Sequence, residues 1–169
     1  MRCLDIECAV AEYFNPRVNL AIPNVSWGFL RYEADLLILT KSARLYEVEI
    51  KVSKSDLKRD LKKTHNHDDR RINKVFFAIP KELLKHADMI PDYAGILVVS
   101  GNWCCRKERD APKRNDYKLS DEEVSQLYRL GALKVWTAKR KFKEHLDRIK
   151  GEQKNESHTR RQEVSKSLD

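Results

Sequence analysis

The sequence predicts an α/β fold with a mixed central sheet flanked by helices and with further helices at the C-terminal end. Two observations support it. Short runs rich in aliphatic and β-branched residues alternate with stretches in which apolar residues recur at helical spacing. Strands that alternate with helices in this way are typical of α/β layers. The 169 residues, 41% of them hydrophobic, fit one core plus extensions.

The first half of the chain predicts a helix followed by strands. Apolar residues from Leu4 to Phe14 broadly follow helical spacing, and Asn15-Pro16 ends that helix. A loop containing Pro23 follows. The stretch from Val25 to Val52 predicts two or three strands, and residues 40–44, TKSAR, form the turn between the last two.

The second half predicts alternating helices and strands. Ser53 or Ser55 can cap a second helix, which is amphipathic and basic. The elements expected after it are a buried strand at KVFFAIP, a short helix at KELLKHADM, an apolar strand at YAGILVVS and an edge strand at WCCRKE. After a polar loop, RKERDAPKRND, Ser120 and Glu123 form a capping box, and a separate helix is expected to follow Gly131.

These elements divide the chain into three parts. Residues 1–112 form the predicted core, and residues 113–150 form a helical extension packed on it. From Gly151 onward the sequence has almost no apolar residues, so residues 151–169 are expected to be a disordered basic tail.

Composition limits the cellular setting and the partner. The chain lacks an apolar run long enough to span a bilayer, its first residues do not resemble a signal peptide, and its four cysteines form no CxxC pair. A cytoplasmic protein without membrane contact is therefore expected. The net charge of +8 favours a polyanionic partner, because neutralising phosphates releases counterions.

One strand carries charges on a single face. In YEVEIKVSK, residues 46–54, Glu47, Glu49 and Lys51 alternate with apolar residues, so the three charged side chains share one side of the strand. If this strand pairs antiparallel with ADLLILT through the TKSAR turn, Asp35 lies beside Glu49 and Lys51. Glu47 is one pair further from Asp35, and surface pairing is the expected role for it.

Such a group suits metal-assisted phosphodiester chemistry. Carboxylate oxygens are preferred ligands of Mg²⁺, which keeps several waters and lets a substrate phosphate complete its shell. The ion polarises a phosphodiester and lowers the pKa of bound water, and a lysine can hold that water or offset charge on the phosphorane.

The pattern of Asp35, thirteen intervening residues, then Glu49-Ile50-Lys51 resembles the PD-(D/E)XK nuclease superfamily. Its restriction-endonuclease-like core is a helix, three strands, a helix and a further strand, the order found above. Within the superfamily, ADLLIL, YEVEIKVSKSDLKRDLKK, KVFFAIP and AGILVVS are most similar to the MmcB-like group of DNA-repair-associated proteins, over roughly residues 25–110. Ala34 stands where the family has its proline.

The resemblance implies roles for individual residues. Asp35 and Glu49 would be metal ligands, the Ile50 carbonyl a further ligand, and Lys51 the catalytic lysine. Mg²⁺ would be the cofactor, with Mn²⁺ able to substitute. Many members add a glutamate from the first helix; Glu7 and Glu12 are both available, and Glu12 is the one we select.

Basic residues near this motif are candidate DNA contacts. The second helix carries lysines at helical spacing, and further arginines follow the HDD loop. The candidates are Lys54, Lys58, Arg59, Lys62, Arg70 and Arg71. The sequence contains no recognisable groove-reading motif, so recognition of the DNA backbone and shape is expected.

The sequence thus predicts a Mg²⁺-dependent deoxyribonuclease, an endonuclease in preference to an exonuclease, acting in DNA repair, recombination or the processing of phage or mobile-element DNA. The alternative is a DNA-binding accessory protein that keeps the nuclease-like fold without cleavage, and a third hypothesis is an interaction protein whose basic surface meets an acidic partner. A homodimer is compatible with either function, because cutting two strands often needs two active sites. RNA as the substrate stays open.

Overall fold

The computed structural model describes residues 1–26, 28–60 and 69–166, without the side chains of residues 60 and 152–166. The elements are α1 Cys3–Tyr13, β1 Leu20–Val25, β2 Ala34–Leu39, β3 Leu45–Ile50, α2 Lys54–Asp60, β4 Ile72–Pro80, a 3-10 segment Lys81–Met89, β5 Ala94–Ser100, β6 Cys104–Arg109 and α3 Asp121–Lys166. The predicted order of one helix, three strands, one helix and one strand at the start of the chain is confirmed.

The six strands form one mixed sheet in the order β1-β2-β3-β4-β5-β6. The pairs β3–β4 and β4–β5 are parallel, and the other three pairs are antiparallel. Residues 40–44 join β2 to β3, as the TKSAR turn predicted, and Ala43 adopts a left-handed conformation in that turn (φ 57°). The mixed sheet of the predicted α/β fold is therefore present.

The first strand begins earlier than predicted. Pro23 lies inside β1 and pairs with Leu36, whereas residues 28–33 do not form a strand. Proline lacks an amide donor and is tolerated in a sheet where one side of the strand has no neighbour to bond. Within the described residues β1 lies at the edge of the sheet, so Pro23 leaves the pairing with β2 intact.

Both faces of the sheet are buried. On one face Ile6, Ala9 and Val10 of α1 pack with Val48, Ile50 and their neighbours. On the other face the core includes Leu57 of α2, Leu83 of the 3-10 segment and Leu127 of α3. Because Val48 and Ile50 point toward α1, the charged residues that alternate with them on β3 point into the opposite, equally covered layer.

A buried asparagine fixes the loop that crosses the end of the sheet. The pairing of β3 with β4 shifts its register between Leu45 and Tyr46, and Asn73 falls at this shift. Its Oδ1 accepts a hydrogen bond from the Leu45 amide at 2.8 Å, and its Nδ2 donates to Asn115 Oδ1 and to the Tyr117 carbonyl, both at 2.8 Å. The predicted polar loop is thereby tied to the sheet.

The C-terminal part differs from the prediction. The Ser120–Glu123 capping box is present, but α3 runs through Gly131 without a break and continues to Lys166. A glycine inside a helix costs about 1 kcal/mol, less than the flanking helix-forming residues contribute together. Residues 151–166, expected to be disordered, are helical, since glutamate, glutamine, lysine and arginine favour helix; residues 167–169 lie outside the described part.

The chain divides into two compact units, Met1–Gly131 and Ala132–Asp169. The first unit extends past the predicted boundary at residue 112, because Leu119 and Leu127 are buried in its core. The second unit is helical from residue 132 to residue 166. Among the described helices, none has both the length and the apolar character needed to cross a bilayer.

Gly95 of β5 provides a test of the core packing. A Cβ at this position would lie 2.6 Å from the Ala111 amide nitrogen and 2.6 Å from Cδ1 of Phe76. We expect Gly95→Ala to lower the free energy of unfolding by about 1–3 kcal/mol, because backbone and ring must move apart. Denaturant titration measures the change. Gly101→Ala is the control, since its Cβ meets no described atom within 4 Å; equal midpoints for the two variants would contradict this packing.

Candidate functional site

A pocket of about 320 Å³ opens where β2 begins and β3 ends. Its walls are Glu33, Asp35, Glu49, Ile50, Lys51, Asp56 and Arg59. Antiparallel pairing brings the start of β2 beside the end of β3, and α2 begins after three intervening residues. The structure therefore places the predicted residues Asp35, Glu49, Ile50 and Lys51 around one space.

Asp35 is held in position by the backbone of β3. The β2–β3 register pairs Leu36 with Val48, which leaves Asp35 opposite Glu49 one step further along. The Ile50 amide donates a hydrogen bond to Asp35 Oδ2 at 2.8 Å. A carboxylate accepts hydrogen bonds at either oxygen, so this bond orients the group at the end of β3.

Glu49 and Lys51 form a buried ion pair. Lys51 Nζ donates to Glu49 Oε2 at 2.7 Å, and the exposed fractions of the two side chains are 7% and 3%. The ammonium lies 5.6 Å from the centre of the Phe77 ring. The Lys51 amide donates to the Ala78 carbonyl at 3.0 Å, so pairing with β4 continues past the end of β3 and fixes this lysine.

Neither Glu7 nor Glu12 of the first helix lines the pocket, but Glu7 is the one that senses Asp35. Burial raises the pKa of Glu7, and the negative charge of Asp35 raises it further, which places Glu7 within electrostatic range of the pocket. Glu12 lies more than one turn further along α1 and is exposed. Glu7 is therefore the stronger candidate of the two, and the role of either glutamate stays a prediction; the helical pattern alone left both open, because it does not give the rotation of α1 on the sheet.

Glu33, Asp56 and Arg59 extend the pocket, and the motif did not identify Glu33 or Asp56. Ser53 caps α2, accepting a hydrogen bond from the Asp56 amide at 3.2 Å and donating to Asp56 Oδ2 at 2.9 Å. Burial acts to raise the pKa of Asp56, but the hydrogen bonds from Ser53 and Arg59 bring it below its ordinary value. Ser53 and Asp56 have the spacing of a helix-capping pair, and this was the sequence pattern from which the position of Asp56 at the start of α2 could have been predicted.

Glu47 is not at the surface, so the expected surface pairing is wrong. The residue is fully buried and accepts a hydrogen bond from the Tyr32 hydroxyl at 2.7 Å. Burial, followed by the charge of Glu47, raises the pKa of Tyr32, so the phenol stays protonated as the donor. The bond fastens the segment before β2, which carries Glu33, to the middle of β3.

The candidate DNA contacts fall into two groups. Lys54, Lys58 and Arg59 are exposed on α2, and Arg59 also pairs with Asp56. Arg70 is exposed, with its guanidinium 5.5 Å from the centre of the Tyr117 ring. These four remain available to a phosphate backbone, whereas Lys62 lies outside the described residues.

Arg71 has a different environment. It forms an ion pair with Asp69 at 2.6 Å, donates to the Phe29 carbonyl, and lies 4.3 Å from the centre of the Phe29 ring. Its side chain is 19% exposed. Arg71 therefore joins the start of β4 to the segment before β2, and we remove it from the candidate DNA contacts.

The donor set around the pocket suits a hard divalent cation. Asp35, Glu49 and the Ile50 backbone supply oxygen atoms, and the open pocket leaves room for water, as Mg²⁺ requires. Within the ranges that the structure describes, no three or more His, Cys, Asp or Glu side chains already converge on one point.

Comparisons with known proteins agree with a DNA-related assignment. A family model described as "DNA repair protein MmcB-like" matches residues 2–141. No curated protein matches the chain. Among solved structures, a protein of unknown function from Silicibacter pomeroyi is similar, with a TM-score of 0.59 and 19% sequence identity; the match covers 82% of this chain and 86% of that chain.

The structural match shows a shared α/β fold and nothing about activity, because the identity is low. The family match covers residues 2–141, which include every residue that lines the pocket. The chain therefore belongs to the MmcB-like family of DNA repair proteins.

Proposed function

We propose that this protein is a metal-dependent endonuclease of the PD-(D/E)XK type that hydrolyses phosphodiester bonds in DNA during repair. The observation that carries the proposal is the meeting of Asp35, Glu49 and Lys51 around one pocket at the end of the β2–β3 hairpin. The element order α1-β1-β2-β3-α2-β4 and the family's association with DNA repair support it.

Each residue has a chemical task in this proposal. Asp35, Glu49 and the Ile50 carbonyl would hold Mg²⁺ or Mn²⁺, which when bound supplies positive charge for the phosphate and acidity for water. The Lys51 ammonium donates a hydrogen bond to the attacking water or to the phosphate oxygen on which charge develops. Its buried position makes that interaction stronger than in bulk solvent, because the local dielectric is low.

The cations of α2 would guide the DNA backbone. Lys54 and Lys58 are exposed on the helix that leaves the pocket, and Arg59 lies at the pocket itself. Arginine matches phosphate geometry with two parallel donors. Asp56 presents this guanidinium, so Arg59 is suited to a phosphate next to the reacting one.

A non-catalytic DNA-binding protein is the second candidate. It is favoured by the absence of three convergent metal-ligating side chains among the described residues and by the lysine that already neutralises Glu49. In that case the pocket residues stabilise the fold, and the basic surface accounts for the DNA-related role.

The first prediction concerns cleavage. Purified protein with Mg²⁺ or Mn²⁺ should convert closed circular DNA to nicked or linear forms, a result that requires an endonuclease. Asp35→Ala and Lys51→Ala should each lower the rate at least about 100-fold, because charge stabilisation of the transition state is lost. Thermal denaturation of each variant checks that it is folded.

Matched glutamate substitutions on the first helix accompany that assay. Glu7→Gln should lower cleavage, whereas Glu12→Gln should not. If wild-type protein binds DNA but leaves circular, linear, branched and single-stranded DNA intact with either metal, and Asp35→Ala does not alter affinity, the accessory-protein candidate replaces the nuclease.

The second prediction concerns the buried ion pair. Lys51→Met leaves the Glu49 carboxylate buried without its cation and should lower the free energy of unfolding by about 3–5 kcal/mol. Excess Mn²⁺ should raise the melting temperature of this variant more than that of wild type, since metal binding to the folded state stabilises it.

The double variant Glu49→Gln/Lys51→Met is the control, because it removes both charges. It should be more stable than Lys51→Met, and Mn²⁺ should raise its melting temperature only slightly. An equal Mn²⁺ shift in the single and double variants would argue against Glu49 as a metal ligand.

The third prediction concerns DNA affinity. Lys58→Gln should weaken binding equally for different sequences and reduce the slope of log affinity against log salt by about one, because one phosphate contact is lost. Fluorescence anisotropy at several salt concentrations, without divalent metal, measures this. Arg71→Gln should lower stability and leave the salt slope unchanged; a reduced slope for Arg71→Gln would return it to the DNA surface.

A further inference from the structure

The second unit carries an apolar stripe that is independent of the pocket. Val135, Phe142 and Ile149 recur every seven residues on α3, and Leu146 lies one turn after Phe142. The exposed fractions of Val135, Phe142 and Leu146 are 54%, 62% and 40%. Seven residues make almost two helical turns, so these four side chains form one row about 21 Å long, here named the α3 stripe.

The spacing distinguishes this row from ordinary surface hydrophobics. Single exposed apolar residues are common and have no special meaning. A row at heptad spacing is the pattern with which helices pack side by side, because each side chain enters the gap between residues of a facing helix. The stripe is therefore suited to a helical partner.

Basic residues flank the stripe on both sides. Lys134, Lys141 and Arg148 each precede a stripe residue by one position, so they form a parallel row on one side; Lys150 lies on the other side, and Lys139, seven residues before Leu146, lies within the stripe. Residues 132–150 contain seven Lys or Arg and two Asp or Glu, a net charge of +5. Of the two acidic residues, Asp147 forms an ion pair with Lys143 at 2.6 Å.

The charges select among possible occupants. Two copies of this helix would place lysine rows against lysine rows in either parallel or antiparallel packing, which repels. DNA phosphates would neutralise the flanks and leave the apolar side chains in water. A helix with an apolar stripe between acidic flanks satisfies both features at once.

We propose that the α3 stripe binds an acidic amphipathic helix of a partner protein. The stripe supplies the apolar contact, and Lys134, Lys141 and Arg148 pair with the partner's glutamate or aspartate side chains. This proposal does not depend on the nuclease assignment, because no stripe residue lies at the pocket.

The test uses the full-length protein and two synthetic helical peptides of four heptads. Both peptides have leucine at the two core positions of each heptad; the flanking positions are glutamate in the acidic probe and lysine in the basic probe. Fluorescence anisotropy should show binding of the acidic probe only, with affinity that falls as salt rises. Phe142→Gln should weaken it at least about tenfold.

Two further variants make the test specific. The triple variant Lys134→Glu/Lys141→Glu/Arg148→Glu should lose the acidic probe and bind the basic one. Leu133→Gln is the matched control, because Leu133 is 61% exposed but lies on another side of the helix, and it should bind like wild type. Circular dichroism checks that helix content is kept.

Four outcomes would overturn the proposal. The first is equal binding of both probes or of neither. The second is a wild-type dimer in sedimentation that Phe142→Gln dissociates, which would make a second copy the occupant. The third is binding to phosphatidylglycerol vesicles that Phe142→Gln abolishes, which would indicate a lipid surface. The fourth is a large loss of thermal stability in Phe142→Gln, which would indicate an occupant within the chain.

Discussion

The antiparallel pairing of β2 with β3 is the constraint on which the candidate site depends. Asp35 and Glu49 lie fourteen residues apart in sequence, and they become neighbours because the five-residue turn sets one register. A slip of one residue would turn the side chains of one strand to the opposite face, against the apolar layer of α1. The buried apolar residues on both strands therefore enforce the register that also brings the carboxylates together. Packing and chemistry are specified by the same hairpin.

Burying the carboxylates of Glu47 and Glu49 on β3 costs desolvation free energy, and a hydrogen-bond donor beside each of them offsets part of it. Glu47 accepts a hydrogen bond from the Tyr32 hydroxyl, and Glu49 accepts one from the Lys51 ammonium. A buried ion pair seldom stabilises more than well-packed apolar residues of similar volume would. Its presence at the end of β3, among buried side chains that are mostly apolar, is thus hard to explain by stability alone. A chemical task for Glu49 and Lys51, as in the proposed nuclease, would account for it.

Much of the site could be predicted from the sequence, because it rests on local rules. Alternation placed Glu47, Glu49 and Lys51 on one face, and the turn residues placed Asp35 beside them. The features that the sequence did not predict depend on contacts between segments that are distant in the chain. The choice between Glu7 and Glu12 depends on how α1 is rotated on the sheet, and the sequestration of Arg71 depends on Phe29. Glu47 was assigned to the surface because alternation along β3 does not reveal that Tyr32, fifteen residues earlier in the chain, covers it.

The charges around the pocket favour metal binding before the DNA phosphate enters in the proposed reaction. The pocket carries Glu33, Asp35, Glu49 and Asp56 against the cations Lys51 and Arg59, so its carboxylates repel an approaching phosphate. The α2 lysines attract the same phosphate, but they lie outside the pocket. A divalent ion bound between Asp35 and Glu49 would remove that repulsion, so ion and DNA should each raise the affinity for the other. Such coupling is reciprocal by thermodynamic necessity. DNA held by α2 alone would then stay at the rim of the pocket, and in the proposed nuclease the unloaded acidic pocket would keep the phosphate away from Lys51.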